Sequence, residues 1–337
     1  MKKHANIPIF IPHLGCPNQC VFCNQRTISG VRQFDADSII YIIESSLSTL
    51  SADTDVEIAF FGGSFTGIDR ELMEKLLSIA YTYVKDGKVT GIRCSTRPDY
   101  IDREILCVLK KYGVNVIELG LQSVDDSVLS ATKRGHTFFA EKEACRLIVE
   151  AGFKLVGQMM IGLPESDEQS ELKTADFIIS SGASGARIYP TVVFKDTDLC
   201  NMAKTGEYQP LSLEEAVRRS AQVMAKFINA GVEVIRVGLC STENLTSEDT
   251  YYAGPNHAAI GELVENEIYY NIICAEIEKS GIFDVSELKI CVPKGCLSKA
   301  IGQKKKNKIK LQEKYSIKHI GFSESDLLSE YSVKIER

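Results

Sequence analysis

The sequence lacks the features that would place the protein in a membrane or outside the cell. No apolar run approaches the roughly 20 residues of a membrane span, although 44% of the 337 residues are hydrophobic. The N-terminal residues 1–16 hold two lysines but only a short apolar run interrupted by prolines, which is not typical of a secretory signal. We therefore expect a cytoplasmic protein with no membrane partner.

A disulfide framework and an overall attraction to nucleic acid are also missing. The eleven cysteines are an odd number spread over a long chain, whereas small secreted domains carry an even number of cysteines close together. Outside one short cluster most of them, such as Cys107, Cys145 and Cys274, lie singly in apolar patterns, where we expect small buried hydrophobic residues. The net charge of −6 does not favour binding to phosphates.

Short apolar segments alternate with amphipathic segments along most of the chain. We predict strands at residues 8–11, 56–61, 91–96, 114–120, 153–161 and 186–193. We predict helices at residues 36–50, 69–86, 101–112, 138–151, 168–181 and 212–230. Apolar strands separated by helices are typical of a parallel sheet covered by helices. The six strand–helix units predict an α/β fold, a partial (β/α)6 TIM-like barrel with a small C-terminal extension.

Unusual residues follow the predicted strands, where a barrel of this type carries its chemistry. Three cysteines follow the first strand. Glycine, polar and proline-containing segments follow the next four strands, at residues 62–64, 95–99, 121–123 and 162–164, and another, at residues 189–191, lies within or just beyond the sixth. This alignment favours an active site over a merely structural metal site.

The cysteine cluster consists of Cys16, Cys20 and Cys23, spaced C-x3-C-x2-C, with the aromatic Phe22 before the last cysteine. Three thiolates in one loop suit a soft metal, and iron–sulfur clusters are normally held by cysteine thiolates. A closed zinc site needs a fourth ligand, and no second C-x2-C supplies one. Three ligands leave one iron of a four-iron cluster open to another molecule. A zinc site that uses His13 is the alternative.

The pattern C-x3-C-x-aromatic-C after a first strand resembles the radical S-adenosylmethionine (radical SAM) superfamily. The resemblance implies a [4Fe-4S] cluster on the three cysteines, with its open iron bound to S-adenosylmethionine. The reduced cluster would then cleave S-adenosylmethionine reductively to a 5′-deoxyadenosyl radical, so that the cofactors carry the difficult chemistry. A reducing electron donor such as ferredoxin or flavodoxin is an implied partner.

The resemblance also implies residues that bind S-adenosylmethionine. The segment FFGGSFTG resembles the family's glycine pair, so Gly62 and Gly63 are expected against the methionine amino group, because a glycine lets a ligand approach the backbone closely. Ser64 follows them where many relatives have an acidic residue, and its side-chain role stays open.

Three further residues complete the expected cofactor site. Arg97 and Gln122 follow the third and fourth strands, and the resemblance implies that they hold the carboxylate and ribose of the cofactor. The alternative for both is a buried polar network that fixes the loops. Phe22, inside the cysteine segment, is the third residue expected to contact the cofactor.

Several ordered segments are similar to the radical SAM part of the catalytic subunit of Elongator, which modifies the wobble uridine of tRNA. They include residues 134–137, 188–199, 204–210 and 254–265, and the likeness extends from about residue 8 to residue 267. It implies tRNA as a partner and a transferase activity. Residues 268–337 are too few for the acetyltransferase domain of that subunit, so its acetyl-CoA step is not implied.

The loops near the expected barrel mouth provide candidate catalytic residues. His136 is one of them, because an imidazole titrates near neutrality and can transfer a proton. Lys195 is a candidate substrate contact, as is Arg134. Tyr189 offers a hydroxyl group, although an aromatic core residue at a strand end is an equal interpretation.

We predict a radical SAM core barrel at residues 1–240 and a C-terminal extension at 241–337, with a basic segment at 298–318. That segment holds eight lysines and one glutamate, a composition that suits RNA phosphates, with Tyr315 placed to stack on a base. A solvated helix face is the alternative. The favoured function is a radical SAM enzyme that modifies tRNA. The alternatives are radical chemistry on a small metabolite or protein, and a non-catalytic RNA-binding protein that keeps the cluster.

Overall fold

The structure, a computed structural model, describes residues 4–11, 14–17, 19–24, 34–239, 249–282 and 285–336. His13, the alternative zinc ligand, lies outside the described residues. Two compact units are present: residues 1–211 with 226–256, and residues 212–225 with 257–337. Within the described part of the chain, no helix is both long enough and apolar enough to cross a membrane.

The first unit contains a seven-stranded parallel sheet in which the strand order follows the chain order. Its strands are β1 (His4–Ile11), β2 (Asp55–Gly62), β3 (Gly91–Thr96), β4 (Val114–Gln122), β5 (Lys154–Ile161), β6 (Gly185–Pro190) and β8 (Glu233–Val237). Strand β4 is buried along most of its length, as expected for a strand covered on both faces. The predicted α/β fold, a partial TIM-like barrel, is confirmed.

Helices connect successive strands of this sheet. They are α1 (Ile39–Thr49), α2 (Arg70–Lys85), α3 (Arg103–Lys111), α4 (Asp126–Ala131), α5 (Phe138–Glu150), α6 (Glu168–Ser180), α7 (Asp198–Thr205) and α8 (Leu213–Asn229). Aspartates cap several of them, because a carboxylate accepts hydrogen bonds from the backbone N–H groups of the first turn. Asp69, Asp102, Asp125 and Asp167 do so for α2, α3, α4 and α6.

Strand β8 is the seventh strand, which the sequence analysis did not predict. It pairs in parallel with β6 between Gly185 and Ile188. Its five residues are all partly or largely exposed, so it lacks the continuous apolar pattern by which the other strands were recognised. A short antiparallel pair, β7 (Val193–Phe194) and β9 (Tyr251–Ala253), completes this unit.

A buried ion-pair network centres on Glu118 of β4. Its carboxylate accepts from Arg93 Nη1 at 2.9 Å and from Arg187 Nε at 2.7 Å. Gln158 Nε2 donates to it at 2.8 Å, and Arg93 also pairs with Glu57 of β2. The network therefore joins five neighbouring strands, β2 to β6, through charged hydrogen bonds, which satisfy charges that burial would otherwise destabilise.

The second unit packs helices against a small sheet. Its elements are α9 (Ile260–Ser280), β10 (Glu287–Pro293), α10 (Leu297–Ile301), α11 (Lys306–Tyr315), β11 (His319–Ser325) and β12 (Lys334–Glu336). Strand β10 lies in the centre, parallel to β11 and antiparallel to β12. Tyr269, Ile290, Leu311 and Tyr315 belong to the hydrophobic core of this unit.

The predicted stacking of Tyr315 on a base is wrong, because this ring is buried and its hydroxyl donates to Glu278 at 2.7 Å.

Candidate active site

The cysteine segment is held by backbone hydrogen bonds and apolar packing. The Cys23 N–H donates to the carbonyl of Cys20 at 3.0 Å, and the Val21 N–H donates to that of Thr132 at 3.2 Å. Val21 is buried, and Phe22 packs against the same apolar cluster, which also contains Val193, Leu199 and Tyr208. The alternation of thiols and apolar side chains therefore fixes this loop at the end of β1.

A cavity at the C-terminal ends of the strands collects most of the predicted site residues. Those that line it are Cys16, Cys20, Phe22, Cys23, Gly62, Gly63, Arg97 and Gln122. Ser64 is fully buried outside this lining, and its hydroxyl lies 2.9 Å from that of Thr96. As far as the described residues show, His136, Tyr189 and Lys195 do not line this cavity.

The thiols experience opposing influences from burial and charge. Burial and the neighbouring Cys20 raise the pKa of the Cys16 thiol, while Arg97 and Arg134 act to lower it. No group of three or more Cys, His, Asp or Glu side chains among the described residues is arranged to hold a single metal ion. In an iron–sulfur cluster each thiolate binds a different iron, so its ligands do not converge on one point.

The glycine pair after β2 allows two loops to pack closely. A Cβ on Gly63 would lie 1.9 Å from the carbonyl oxygen of Leu14, and Gly62 has a φ of +112°. The Gly63 N–H donates to the carbonyl of Ile11 at 2.8 Å. The contact between the cysteine segment and the end of β2 thus requires these glycines, in addition to any role that they have toward a ligand.

Arg97 is buried in a network of its own. Its Nε and Nη2 donate to the two carboxylate oxygens of Asp99 at 2.9 Å each, and Nη2 also donates to the carbonyl of Arg134. Burial alone would raise the pKa of Asp99, but Arg97 outweighs this effect and holds it below the ordinary value. The guanidinium is therefore rigid, and the N–H groups of its Nη1 have no partner within the described residues.

Gln122 ends β4 in a strained conformation. Its φ is +74°, and the pairing with β5 is irregular between Gly120 and Gln122. A Cβ on Gly120 would lie 3.0 Å from Gln122 Nε2, so that glycine makes room for the amide. Gln122 Oε1 is buried without a partner in the described part of the chain. Non-glycine residues with positive φ persist where their surroundings impose them, often at functional sites.

Arg134 and Gln158 are among the lining residues that were not predicted as cofactor contacts. Arg134, expected to contact substrate, donates through Nη1 to Cys20 Sγ at 3.2 Å. Gln158 of β5 bridges Glu118 and the hydroxyl of Ser95, at 2.8 Å and 3.3 Å. A glutamine within an otherwise apolar strand was the available signal for Gln158. No sequence pattern indicated the contact of Arg134, because 114 residues separate it from Cys20.

His136 lies beside this site but behind its lining. Its ring is buried, with Nε2 at 2.9 Å from Glu141 Oε1 and Nδ1 at 3.5 Å from Arg97 Nη2. Burial and the two nearby arginines, Arg134 and Arg97, lower the pKa of His136 to about 3. Burial also raises the pKa of Glu141 well above its ordinary value. The imidazole is thus neutral at pH 7, unlike the ring expected to titrate near neutrality.

Tyr189 and Lys195 lie near the ends of other elements. Tyr189 is partly buried on β6 and is paired in register with Met160 of β5. Lys195 follows β7, and its backbone N–H donates to the carbonyl of Thr250 at 2.8 Å. Their catalytic roles stay predictions.

Two family profiles and several known proteins match this chain. The sequence profile of the radical SAM superfamily matches residues 10–178, and that of the Radical_SAM C-terminal domain matches residues 183–270. The chain is 30% identical over 190 residues to Elongator complex protein 3 of Danio rerio, an alignment that covers 50% of this chain and 35% of that protein. It is 31% identical over 157 residues to the tRNA uridine(34) acetyltransferase of Methanocaldococcus jannaschii, covering 46% and 29%. The chain thus matches about a third of the length of these relatives.

A solved structure shares the fold. The archaeal Methanocaldococcus infernus Elp3 with an N-terminal deletion superposes with a TM-score of 0.62 and 21% identity, over 83% of this chain and 64% of that chain. The superfamily profile covers half of the present sequence and includes Cys16, Cys20 and Cys23. This enzyme therefore belongs to the radical SAM superfamily, whose cofactors are a [4Fe-4S] cluster and S-adenosylmethionine.

Proposed function

We propose that this radical SAM enzyme modifies tRNA in the cytoplasm. In this proposal Cys16, Cys20 and Cys23 bind the cluster, and the residues around them bind S-adenosylmethionine. The observation that carries the proposal is the one cavity in which the three thiols meet Arg97 and Gln122. The ten described cysteines form no disulfide bond, which supports a reducing compartment.

The residues of the cavity fit the two cofactors. The donor set consists of thiols, which are the usual ligands of iron–sulfur clusters. The buried guanidinium of Arg134 hydrogen-bonds Cys20 Sγ and offsets the negative charge that bound thiolates introduce. Arg97 Nη1 and Gln122 Oε1 add one donor and one acceptor whose hydrogen-bonding capacity is unused within the described chain. A ligand that carries both a carboxylate and hydroxyl groups suits this pair.

When bound, the reduced cluster supplies the electron that cleaves S-adenosylmethionine to a 5′-deoxyadenosyl radical. The protein itself binds and orients S-adenosylmethionine and shields the site from water. Asp99 holds the Arg97 guanidinium in a fixed plane through two hydrogen bonds, which lowers the entropy lost when a carboxylate binds. Phe22 and its apolar cluster exclude water from one side of the thiols.

The substrate part of the proposal is supported by the relatives. One of them is named for modification of uridine 34 of tRNA, and others are Elongator complex protein 3 from several eukaryotes. The residues that line the cavity lie within the region that the superfamily profile matches. An electron donor such as ferredoxin or flavodoxin completes the proposed set of partners, since the cluster must be reduced before it reacts.

Cofactor chemistry is tested on protein purified without air. A triple variant with Cys16→Ala, Cys20→Ala and Cys23→Ala should lose bound iron and all formation of 5′-deoxyadenosine from S-adenosylmethionine with dithionite. Cys107→Ala is the matched control, because this cysteine lies outside the cavity lining and is exposed, contrary to the burial expected from its apolar surroundings in the sequence. Cleavage retained by the triple variant would refute the assignment of the cluster ligands.

Substrate class is tested by mass spectrometry of nucleosides from tRNA of cells with and without the gene. Loss of one modified uridine in the deletion strain, restored by the wild-type protein but not by the triple variant, supports the proposal. Unchanged tRNA together with active cleavage of S-adenosylmethionine would favour a metabolite or protein substrate. Unchanged tRNA without cleavage, even with RNA added, would favour the non-catalytic RNA-binding alternative.

A further inference from the structure

We propose that the second unit carries a separate binding site for single-stranded RNA, formed by the turn Gly302–Lys305 and the adjoining face of α11. The inference deepens the proposed function and depends on it only for the choice of RNA over DNA. The site lies in a different compact unit from the cysteine cavity, so the two can be tested separately.

The order of the elements in the second unit supports this site. Strand β10, helix α10, the turn, helix α11 and strand β11 follow one another, and the two strands lie parallel at the centre and edge of the small sheet. This is the order of elements in KH domains, in which a G-x-x-G turn between two helices clamps the backbone of about four nucleotides. Here the turn is Gly302-Gln303-Lys304-Lys305.

The turn is held rigidly at its base, and its two lysines are exposed. A Cβ on Gly302 would lie 2.9 Å from Asn307 Cγ. Asn307 is buried and donates through Nδ2 to the carbonyls of Asn266 and Ala300, at 2.7 Å and 3.2 Å. The base of the turn is thereby fixed to α9 and α10.

Lys304 and Lys305 occupy the next positions in an unusual backbone conformation. Their φ angles are +52° and +64°, in the left-handed region that glycine favours. Lys305 therefore stands where a G-x-x-G turn has its second glycine, and adopts the conformation that such a glycine would have. The chain keeps exposed lysines at two positions where glycine would be less strained.

The ion pairs of the basic segment are distributed unevenly along it. Four of its lysines contact carboxylates of the same unit: Lys299, Lys306, Lys310 and Lys314. The other four, Lys304, Lys305, Lys308 and Lys318, have no ion pair within the described residues, and the first three of them lie within five positions of one another. The positive charge that remains unneutralised is therefore concentrated at the turn and the first turn of α11. Phosphates are the anions that this spacing suits, since they recur along a nucleic-acid strand.

An exposed apolar side chain lies beside these lysines. Ile309 is 48% exposed on α11, next in sequence to Lys308. Exposed apolar and cationic side chains in alternation suit an unpaired strand, because its bases are free to contact apolar groups while its phosphates contact lysines. A duplex hides its bases, so we expect the site to prefer single strands.

The test measures the fluorescence anisotropy of a labelled single-stranded RNA as the full-length protein is added. The RNA is about twelve nucleotides long, three times the four nucleotides that such a turn clamps. The variant Lys304→Glu with Lys305→Glu should weaken binding about tenfold or more and lower the slope of log affinity against log salt by about 1.4, since each lost phosphate contact on a single strand removes about 0.7.

The control is Lys279→Glu with Lys318→Glu, which changes the net charge equally. Lys279 lies in the last turn of α9, and Lys318 follows α11 at the end opposite to the turn. The ten residues of α11 span about 15 Å. RNA binding by this control variant should therefore change less than about twofold, because a charge at that distance is largely screened at physiological salt.

A second variant excludes a folding defect. Lys304→Gly with Lys305→Gly keeps the turn and relieves its backbone strain, so the melting temperature should stay the same or rise while RNA binding falls. Equal losses in the charge-reversal variant and its control would overturn the inference, as would wild-type binding by the glycine variant. Binding to anionic vesicles without binding to RNA would also overturn it. Equal affinity for single-stranded DNA of the same sequence would overturn the choice of RNA.

Cleavage of S-adenosylmethionine separates this inference from the proposed function. All of these variants should form 5′-deoxyadenosine at the wild-type rate when no RNA is present, because the turn contributes nothing to the cavity lining. If the charge-reversal variant binds RNA as the wild type does and tRNA modification is normal, the inference is refuted and the proposed function is not affected. If the wild-type protein does not cleave S-adenosylmethionine, the proposed function is refuted instead.

Discussion

Arg134 donates through Nη1 to Cys20 Sγ across 3.2 Å, which places a buried guanidinium directly against a thiol of the cysteine cavity. Its Nη2 donates to the carbonyl of Gly120. The side chain thus connects the cysteine segment to the end of β4. A guanidinium carries its positive charge at all ordinary pH values, so Arg134 places a cation beside a sulfur that is proposed to bind the cluster.

Replacement of this cation is expected to weaken the cluster site. Hydrogen bonds to charged groups contribute about 1.5–3 kcal/mol, so Arg134→Gln should lower the rate of S-adenosylmethionine cleavage roughly tenfold or more, while Arg134→Lys should fall between this variant and the wild type. Iron content and 5′-deoxyadenosine formation, measured on anaerobically reconstituted protein, check this. Full iron loading with a wild-type rate in Arg134→Gln would show that the contact is dispensable.

The close packing at Gly63 leads to a stability prediction. A Cβ there would lie 1.9 Å from the backbone carbonyl oxygen of Leu14, and backbone cannot move aside as a flexible side chain can. Gly63→Ala should therefore lower the free energy of unfolding by about 1–3 kcal/mol or more, as measured by urea denaturation. Gly321→Ala is the control, since a Cβ on Gly321 would meet no atom within 4 Å. A similar loss in both variants would contradict the packing argument.

The pair formed by His136 and Glu141 predicts two opposing effects of pH. The pKa of His136 is lowered to about 3, so the unfolded chain binds an extra proton between about pH 3 and 6.5, and stability rises with pH across that window. The pKa of Glu141 is raised well above 4.5. Above that pH the folded chain therefore holds the extra proton, and stability falls as pH rises.

Two variants separate these contributions. His136→Gln should lose the rise in unfolding free energy between about pH 4 and 6.5, a change of a few kcal/mol because one pKa unit corresponds to about 1.4 kcal/mol. Glu141→Gln should lose the opposing fall and make the rise steeper above about pH 4.5. Urea denaturation at closely spaced pH values provides the measurement. Parallel curves for the wild type and His136→Gln would mean that the ring does not titrate as its burial requires.

Removal of Glu118 should destabilise the sheet strongly. Its carboxylate is fully buried and pairs with Arg93 and Arg187, and an unpaired buried charge costs about 3–5 kcal/mol. Glu118→Ala removes one carboxylate partner from each of these cations, although Arg93 keeps its pair with Glu57, so we expect a loss of that size or an unfolded protein in chemical denaturation. Glu104→Ala is the control, because its pair with Arg70 is exposed and should change stability by less than about 1 kcal/mol. Equal small losses would contradict the network's role.

The sequence predicted the elements that have strong periodic patterns and the residues that follow them. The spacing of Cys16, Cys20 and Cys23 was informative because local thiols must converge on one cofactor. Sequence could not indicate that Arg134 contacts Cys20, since the fold alone brings distant loops together. It also placed Tyr315 at the surface, because a lysine-rich helix gives little sign of its buried face. The exposed strand β8 was missed for the same physical reason, weak apolar patterning.

Gln122 has a strained backbone and a side-chain acceptor without a partner among the described residues. We therefore predict that replacing it can keep or raise stability while it weakens the binding of S-adenosylmethionine. Its φ of +74° costs about 1–2 kcal/mol for a residue with a β-carbon, and Oε1 has no partner among the described residues. Gln122→Gly should therefore keep or raise the melting temperature, whereas Gln122→Ala should keep the strain. Both should bind S-adenosylmethionine roughly five- to tenfold more weakly, because one hydrogen bond contributes about 1 kcal/mol. Isothermal titration with the reconstituted protein measures this affinity. Wild-type affinity in Gln122→Ala would mean that the amide only fixes the end of β4, and that the strain arises from packing against Gly120 rather than from a ligand.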